Sequence, residues 1–274
     1  MSVPTEVFAA RGAKAAPFVL ARPVRALAWP AAGLALLLLL WWWGGRLIAG
    51  NPATANFAGF APGPALASLL ELLRSGQLWT AVAPSLARIG QGLLWAALIG
   101  VPAGVLVGSL AAVRKLTNFP FQLLRMISPL AWMPIAVLAF DSWDGAIVFL
   151  IVMAAVWPVV FSTAFGVQRI DPLYYQVARN FGADFGKTLR RLILPAVAPD
   201  IFAGLRLAVG VAWVVLVPAE YLGVTSGLGY AINDARDTLS YDRLAALVVV
   251  IGVIGYLLDS AFALLIRRFS WQGS

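Results

Sequence analysis

Between Arg88 and Arg114 this chain carries no charged residue, and neither do residues 26–45 or Gly145–Val167. Twenty helical residues rise about 30 Å, the thickness of a bilayer's hydrocarbon core, so each run is long enough to cross a membrane as a helix. Further apolar runs of about this length, interrupted inside by Arg125, Arg206 and Asp259 respectively, lie at about Phe119–Phe140, Asp200–Ala219 and Leu244–Ile266. The expected fold is an all-α integral membrane protein with six transmembrane helices. Only 12% of its 274 residues are charged, against about 25% in soluble domains.

The basic residues set the expected orientation. With Arg125 and Arg206 assigned to the inner side, 15 of the 20 Lys and Arg residues fall inside. Arg46, Arg74, Arg88, Arg236 and Arg243 fall outside. The positive-inside rule then puts both termini in the cytoplasm. The net charge of +8 is explained by this flanking pattern and by anionic membrane lipid rather than by nucleic acid. The chain has neither Cys nor His, which removes thiolate chemistry and the commonest general base. No close carboxylate constellation replaces them, so no catalytic residue is assigned and no metal site or bound cofactor is expected.

Three regions follow in order. Residues 1–25, with Arg11, Lys14, Arg22 and Arg25 among prolines, read as a cytoplasmic tail. Residues 26–84 hold the first span, which stays as an anchor, and a Gly- and Pro-rich extracytoplasmic segment. Leu66, Leu69, Leu70 and Leu73 there predict a short amphipathic helix. Residues 85–269 hold five further spans. Gly90, Gly92, Gly100, Gly104 and Gly108 include small residues four apart, which permits close helix packing in the second span. Pro129 and Pro134 should break or kink the third, where Arg125 snorkels inward.

A polar, basic, helix-prone stretch from Tyr174 to Pro195 lies between two apolar runs and therefore outside the bilayer. We read it as a docking surface for a cytoplasmic partner, with a helix at about 174–185 and Pro195 ending the segment. Gly182–Thr188 comes close to a phosphate loop, but it is one residue short between the glycines and follows no strand. Among the intramembrane charges, Arg125 and Arg206 are either snorkelling anchors or the wall of an electropositive vestibule for an anion. Glu220 is either an interfacial cap or a gate and binding-protein contact. Asp259 fits structural pairing or a part in transport. Trp132, Met133, Trp157 and Trp213 either pack between helices or line a pathway. A stand-alone ion-coupled secondary transporter is the alternative function, although no internal repeat supports it.

Gln176-Val177-Ala178, Gly182 after three residues, and Leu192-Ile193-Leu194-Pro195 after nine more resemble the E-A-A-x3-G-x9-I-x-L-P loop of ABC importer permeases. Here Gln176 stands for the Glu, Val177 for an Ala and Leu192 for the Ile. S-L-A-R-I-G-Q-G at 85–92, L-R-M-I-S-P-L-A-W-M-P at 124–134, G-L-R-L-A-V-G at 204–210 and P-A-E-Y-L-G at 218–223 are similar to the nitrate/sulfonate/taurine branch. The resemblance implies the type I permease fold and import of a small anion by alternating access. It also implies a homodimer of permeases, two cytoplasmic ATPase subunits that hold ATP and magnesium, and an extracytoplasmic solute-binding protein. The implied ATPase-docking residues are Tyr175, Gln176, Ala178, Asn180, Phe181, Gly182, Ala183, Leu194 and Pro195. Read from the intramembrane charges and aromatics themselves, the candidate translocation pathway takes in Arg125, Trp132, Met133, Trp157, Arg206, Trp213 and Glu220, and the resemblance implies a bacterial inner (cytoplasmic) membrane as the location.

Overall fold

The computed structural model describes residues 22–269, so the expected N-terminal tail lies outside the described residues but for its last four. Those four begin α1 (Arg22–Gly50), whose side chains from residue 28 onward are almost all exposed. A 3-10 turn at Ala55–Phe60 leads to α2 (Pro62–Arg74), the expected amphipathic helix. It buries Ala65, Ser68 and Leu72 and leaves Leu66, Leu70 and Leu73 exposed. Next come α3 (Gln77–Ser109), α4 (Ala111–Met126), α5 (Met133–Ala139) and α6 (Trp143–Gln168). Two short helices, α7 (Pro172–Asn180) and α8 (Phe185–Thr188), precede α9 (Leu194–Gly223), α10 (Leu228–Asp237) and α11 (Tyr241–Phe269).

Five of these helical runs are long and apolar enough to cross a membrane: α1, α3, α6, the run Phe185–Gly223, and α11. The bent pair α4–α5 makes a sixth if counted as one span. Here the third expected span is broken at Pro129, one of the two prolines expected to break or kink it. It is not one helix over Phe119–Phe140 but two pieces meeting at 90°. Ile127 and Ser128 are extended, as the residue before a proline must tend to be, and Pro129 then opens a 3-10 turn.

Other boundaries move as well. The second span starts at Gln77 instead of Leu86 and ends at Ser109. Arg88 therefore lies well inside the helix, and the expected division at residue 84 falls within α3. Pro195 does not end the cytoplasmic segment. It occupies the first turn of α9, where a missing N–H costs no intrahelical bond, and a π-turn at Leu189–Ile193 feeds the chain into it. The fourth span, expected at Gly145–Val167, is α6.

Helix α6 is apolar all round and sits at the centre, as such helices must. Ile147, Leu150, Ile151, Ala155 and Val159 on it pack with Ile89 and Ala96 of α3 and with Ala208, Ala212 and Leu216 of α9. The α3 face toward α6 is Gly92, Ala96, Gly100, Gly104 and Gly108, one small residue per turn. A Cβ added at Gly100 would lie 2.9 Å from Val159, and one at Gly104 2.6 Å from Thr163 and 2.7 Å from the Val160 carbonyl. Gly90 faces open space. We expect Gly104→Leu to cost about 1–3 kcal/mol through overpacking, and Gly90→Leu to cost almost nothing. Thermal unfolding of the two variants in detergent compares them directly.

Candidate functional site

One end of the bundle carries Arg114, Lys115, Arg169, Arg179, Lys187, Arg190 and Arg191. The chain here folds into an elbow. The Asp171 carboxylate accepts from the Leu173 N–H (2.8 Å), and Pro172 opens α7. The helix closes with Ala183 N–H donating to Ala178 O (3.0 Å) and Gly182 N–H to Arg179 O (2.9 Å). Gly182 has φ +68°, the left-handed residue that this type of C-cap requires. The helix expected at 174–185 thus stops at Asn180. Asp184 then caps α8 by accepting from Lys187 N–H (2.9 Å). The phosphate-loop look-alike is a helix cap that follows a helix.

The elbow has two faces. Tyr175 packs inward on Val105, Val167, Ile193 and Val197, and burial pushes its phenol pKa up. Ala178 and Ala183 are half-buried, while Gln176, Asn180 and Gly182 are exposed. Leu194 and Pro195 form the first turn of α9. Outward, Phe181 is 87% exposed, and Leu173, Tyr174, Val177 and Phe185 surround it with further exposed apolar surface. Of this apolar patch, the sequence-based docking set included Phe181 alone.

Two cavities adjoin the elbow: one of about 560 Å³ at Asp171, Tyr174, Pro195 and Asp200, and one that begins a series of three running along α4, each sharing lining residues with the next. The first of the series, about 770 Å³, is lined by Tyr175, Gln176, Arg179, Gln168 and Arg114 among others. Arg114 and Gln168 also line the second, about 430 Å³, with Asn118, Gln122, Arg125 and Phe161. Arg125 and Phe161 in turn line the third, about 440 Å³, with Met153, Trp157, Leu207 and Val211. No carboxylate lines any of the three. The Arg125 guanidinium lies 5.1 Å above the Phe161 ring, and Phe121 meets Trp157 edge-on at 5.4 Å.

The opposite end holds a buried charge network. Glu220, on the last turns of α9, is 0% exposed. Arg88 Nη1 donates to its carboxylate at 2.5 Å, and Gly229 N–H donates at 2.9 Å. The Ser85 hydroxyl, 2.8 Å from both carboxylate oxygens, donates as well and accepts from Leu228 N–H. Arg88 also pairs with Asp144 at the start of α6 (2.6 Å) and donates to the Ser226 carbonyl and hydroxyl (2.9 Å each). Gly227, at φ +111°, presses on the carboxylate, and an added Cβ would lie 2.5 Å from it. One carboxylate and one guanidinium thus join α3, α6, α9 and the T-S-G-L-G segment that opens α10.

The remaining intramembrane charges pair with each other. Arg206 Nε and Nη2 donate to the two oxygens of Asp259 at 2.8 and 2.7 Å, a bidentate bridge between α9 and α11. This supplies the partner that Asp259 lacked on its own helix. Trp132, Met133 and Trp213 pack against the central cluster. Of the expected pathway residues, Arg125 and Trp157 line the cavities, Arg206 and Glu220 are ion-paired, and the other three are packing residues in this chain. Arg88, Asp144 and Ser85 were missed because their partners lie far away along the chain. Arg114, Asn118 and Gln122 were missed because the chain before Phe119 was expected to be a short inside loop and Gln122 part of the third span, so their helical spacing was split between two segments. Among the described residues no group of acidic side chains could hold a metal ion.

Residues 100–271 match the family described as binding-protein-dependent transport system inner membrane component. The chain is 41% identical over 197 residues to the bicarbonate transport system permease protein CmpB of Synechococcus elongatus, covering 71% of this chain and 70% of that one. It is 35% identical over 197 residues to the taurine transport system permease protein TauC of Escherichia coli, covering 72% of each. In fold it is similar to a chain of the MetNI methionine ABC transporter in inward-facing form, with a TM-score of 0.58 and 17% identity over 70% of this chain and 96% of that one.

Arg88 is the cation paired with buried Glu220, so its removal leaves that carboxylate without a counter-ion. Arg88→Ala should cost about 3–5 kcal/mol. It should appear as a large loss of thermal stability in detergent, whereas Asp144→Ala, at a 68% exposed side chain, should cost far less.

Proposed function

This chain belongs to the binding-protein-dependent inner membrane components, the permease subunits of ABC importers in the nitrate/sulfonate/taurine branch, and on that premise we propose how it assembles and what it carries. Two copies form the membrane pore. Two ATPase subunits, which hold ATP and magnesium, dock on the basic, cytoplasmic end, and a solute-binding protein docks on the end that carries α10. Both termini face the cytoplasm. The cargo is a small solute with a single oxyanion group, the class to which bicarbonate and the sulfonate of taurine belong. A stand-alone carrier is set aside, since the relatives are permease subunits of ATP-driven systems.

The observation that carries this reading is the elbow at α7. Its outward face is an apolar patch around Phe181 on a largely basic surface, and among the described residues nothing covers it. Its inward face is anchored through Tyr175, and the chain runs from Phe185 through the π-turn into α9 with only helical residues. A push on the patch is therefore delivered to a helix that reaches the Glu220 network. ATP-driven closure of the ATPase pair moves the elbow and switches the pathway between its two openings, provided the solute binds those states differently.

Phe181→Ala should weaken the permease–ATPase complex by about 1–3 kcal/mol, read as a five- to 150-fold rise in dissociation constant. Gly182→Val should break the left-handed cap and uncouple hydrolysis from transport, and Gly182→Asn should be tolerated. Lys187→Ala should leave assembly and hydrolysis unchanged. Wild-type assembly and coupling in Phe181→Ala and Gly182→Val together would contradict the docking assignment.

A further inference from the structure

Helix α4 is divided lengthwise. Arg114, Asn118, Phe121, Gln122 and Arg125 recur at helical spacing and line the 430 Å³ cavity. Leu116, Phe119, Leu123 and Met126 lie on the other side and are exposed. The helix therefore turns a cationic, amide-bearing face toward α6 and an apolar face toward lipid. Among the described residues neither Arg114 nor Arg125 forms an ion pair with a carboxylate, unlike Arg88, Arg169, Arg206, Arg236 and Arg243.

An arginine stays charged at any physiological pH, and a wall of protein and lipid screens it weakly. Two such groups on one cavity, with no fixed counter-charge, attract a mobile anion. The neighbouring amides are placed to help. Gln122 Nε2 donates to Asn118 Oδ1 at 3.0 Å, which occupies the Asn118 oxygen and leaves its N–H groups free to donate.

We propose that the α4 face of this cavity is a binding site for a singly charged oxyanion, drawn in by Arg114 and Arg125 about three helical turns apart, with Asn118 between them as a further donor. The guanidinium fork matches the paired oxygens of a carboxylate-like, nitrate-like or sulfonate group. The site lies beyond the cavity at the elbow, so it would hold the anion on the cytoplasmic side of the third cavity. It deepens the reading that the cargo is an anion. The same chemistry would also take the phosphate of an anionic lipid entering beside the exposed apolar face of α4.

The native chain has no cysteine, which gives a clean test. Thr117→Cys places one thiol on the cavity wall. In the permease–ATPase complex in zwitterionic nanodiscs, label on the permease is read by mass. A sulfonate-bearing methanethiosulfonate should react about tenfold or more faster than a trimethylammonium-bearing one, after normalisation to an exposed thiol at Glu71→Cys. Adding Arg114→Gln and Arg125→Gln should abolish the preference, and the matching Arg→Lys pair should retain it. Protection by sodium nitrate or bicarbonate in zwitterionic lipid identifies a soluble anion as the ligand. Protection only when phosphatidylglycerol is present identifies the lipid headgroup. Equal rates for the two reagents, a preference that survives both Gln substitutions, or no protection from either source would overturn the site. The labelling needs no transport, so its failure would leave the ATPase-docking result as it stands.

Discussion

Lipid tails are as apolar as leucine, so helices in a bilayer are held together by packing and polar contacts rather than by escape from water. The arrangement here depends on how closely α3 approaches α6. Gly92, Ala96, Gly100, Gly104 and Gly108 leave one side of α3 almost bare, and Val159, Thr163 and Val167 of α6 fill the space. With α3 against one side of α6 and α9 against the other, the central helix has no lipid-facing stripe of its own. The polar devices at both ends are positioned by these three helices.

Charge is treated differently at the two ends. At the α10 end, Arg88, Glu220 and Asp144 neutralise one another in part, and further donors satisfy the Glu220 carboxylate. Such a network contributes less to net stability than its short distances suggest, because desolvation offsets much of the attraction. Its effect is to fix where the T-S-G-L-G segment and α10 sit. Deeper along α9, Arg206 and Asp259 pair across to α11. At the basic end, Arg114 and Arg125 have no such counter-charge among the described residues. The chain thus holds rigid, internally compensated charges where α10 is fastened and uncompensated ones where an anion would pass.

The sequence carried the fold class and most of the helices, because uncharged runs of membrane length leave few alternatives. The glycine stripe was also legible, whereas the helix was expected to continue through Gly182, which in fact closes it. The broken third span was legible in its break, which was expected at its prolines and falls at Pro129, but not in its start, because the polar residues 114–118 were expected to form a loop rather than the first turns of α4. Arg88 was counted only as a topology marker. Its partners Asp144, Glu220 and Ser226 lie on three other segments, and no local pattern links residues so far apart. Pro195 was taken as a stop because a proline ends a helix from within, yet in a first turn it starts one. The exposed ring of Tyr174, Val177 and Phe185 around Phe181 depended on where α7 ends and α8 begins, which the helical period alone does not set.

The central claim is that the two ends serve two different partners, the Phe181 elbow an ATPase and the α10 end a solute-binding protein. Photocrosslinking amino acids placed singly at Phe181 and at Asp237, in the complex assembled with both partners, test it directly. The account predicts that the Phe181 position crosslinks only to the ATPase and the Asp237 position only to the binding protein. Exchange of those partners, or ATPase crosslinks from Asp237 and none from Phe181, would contradict it.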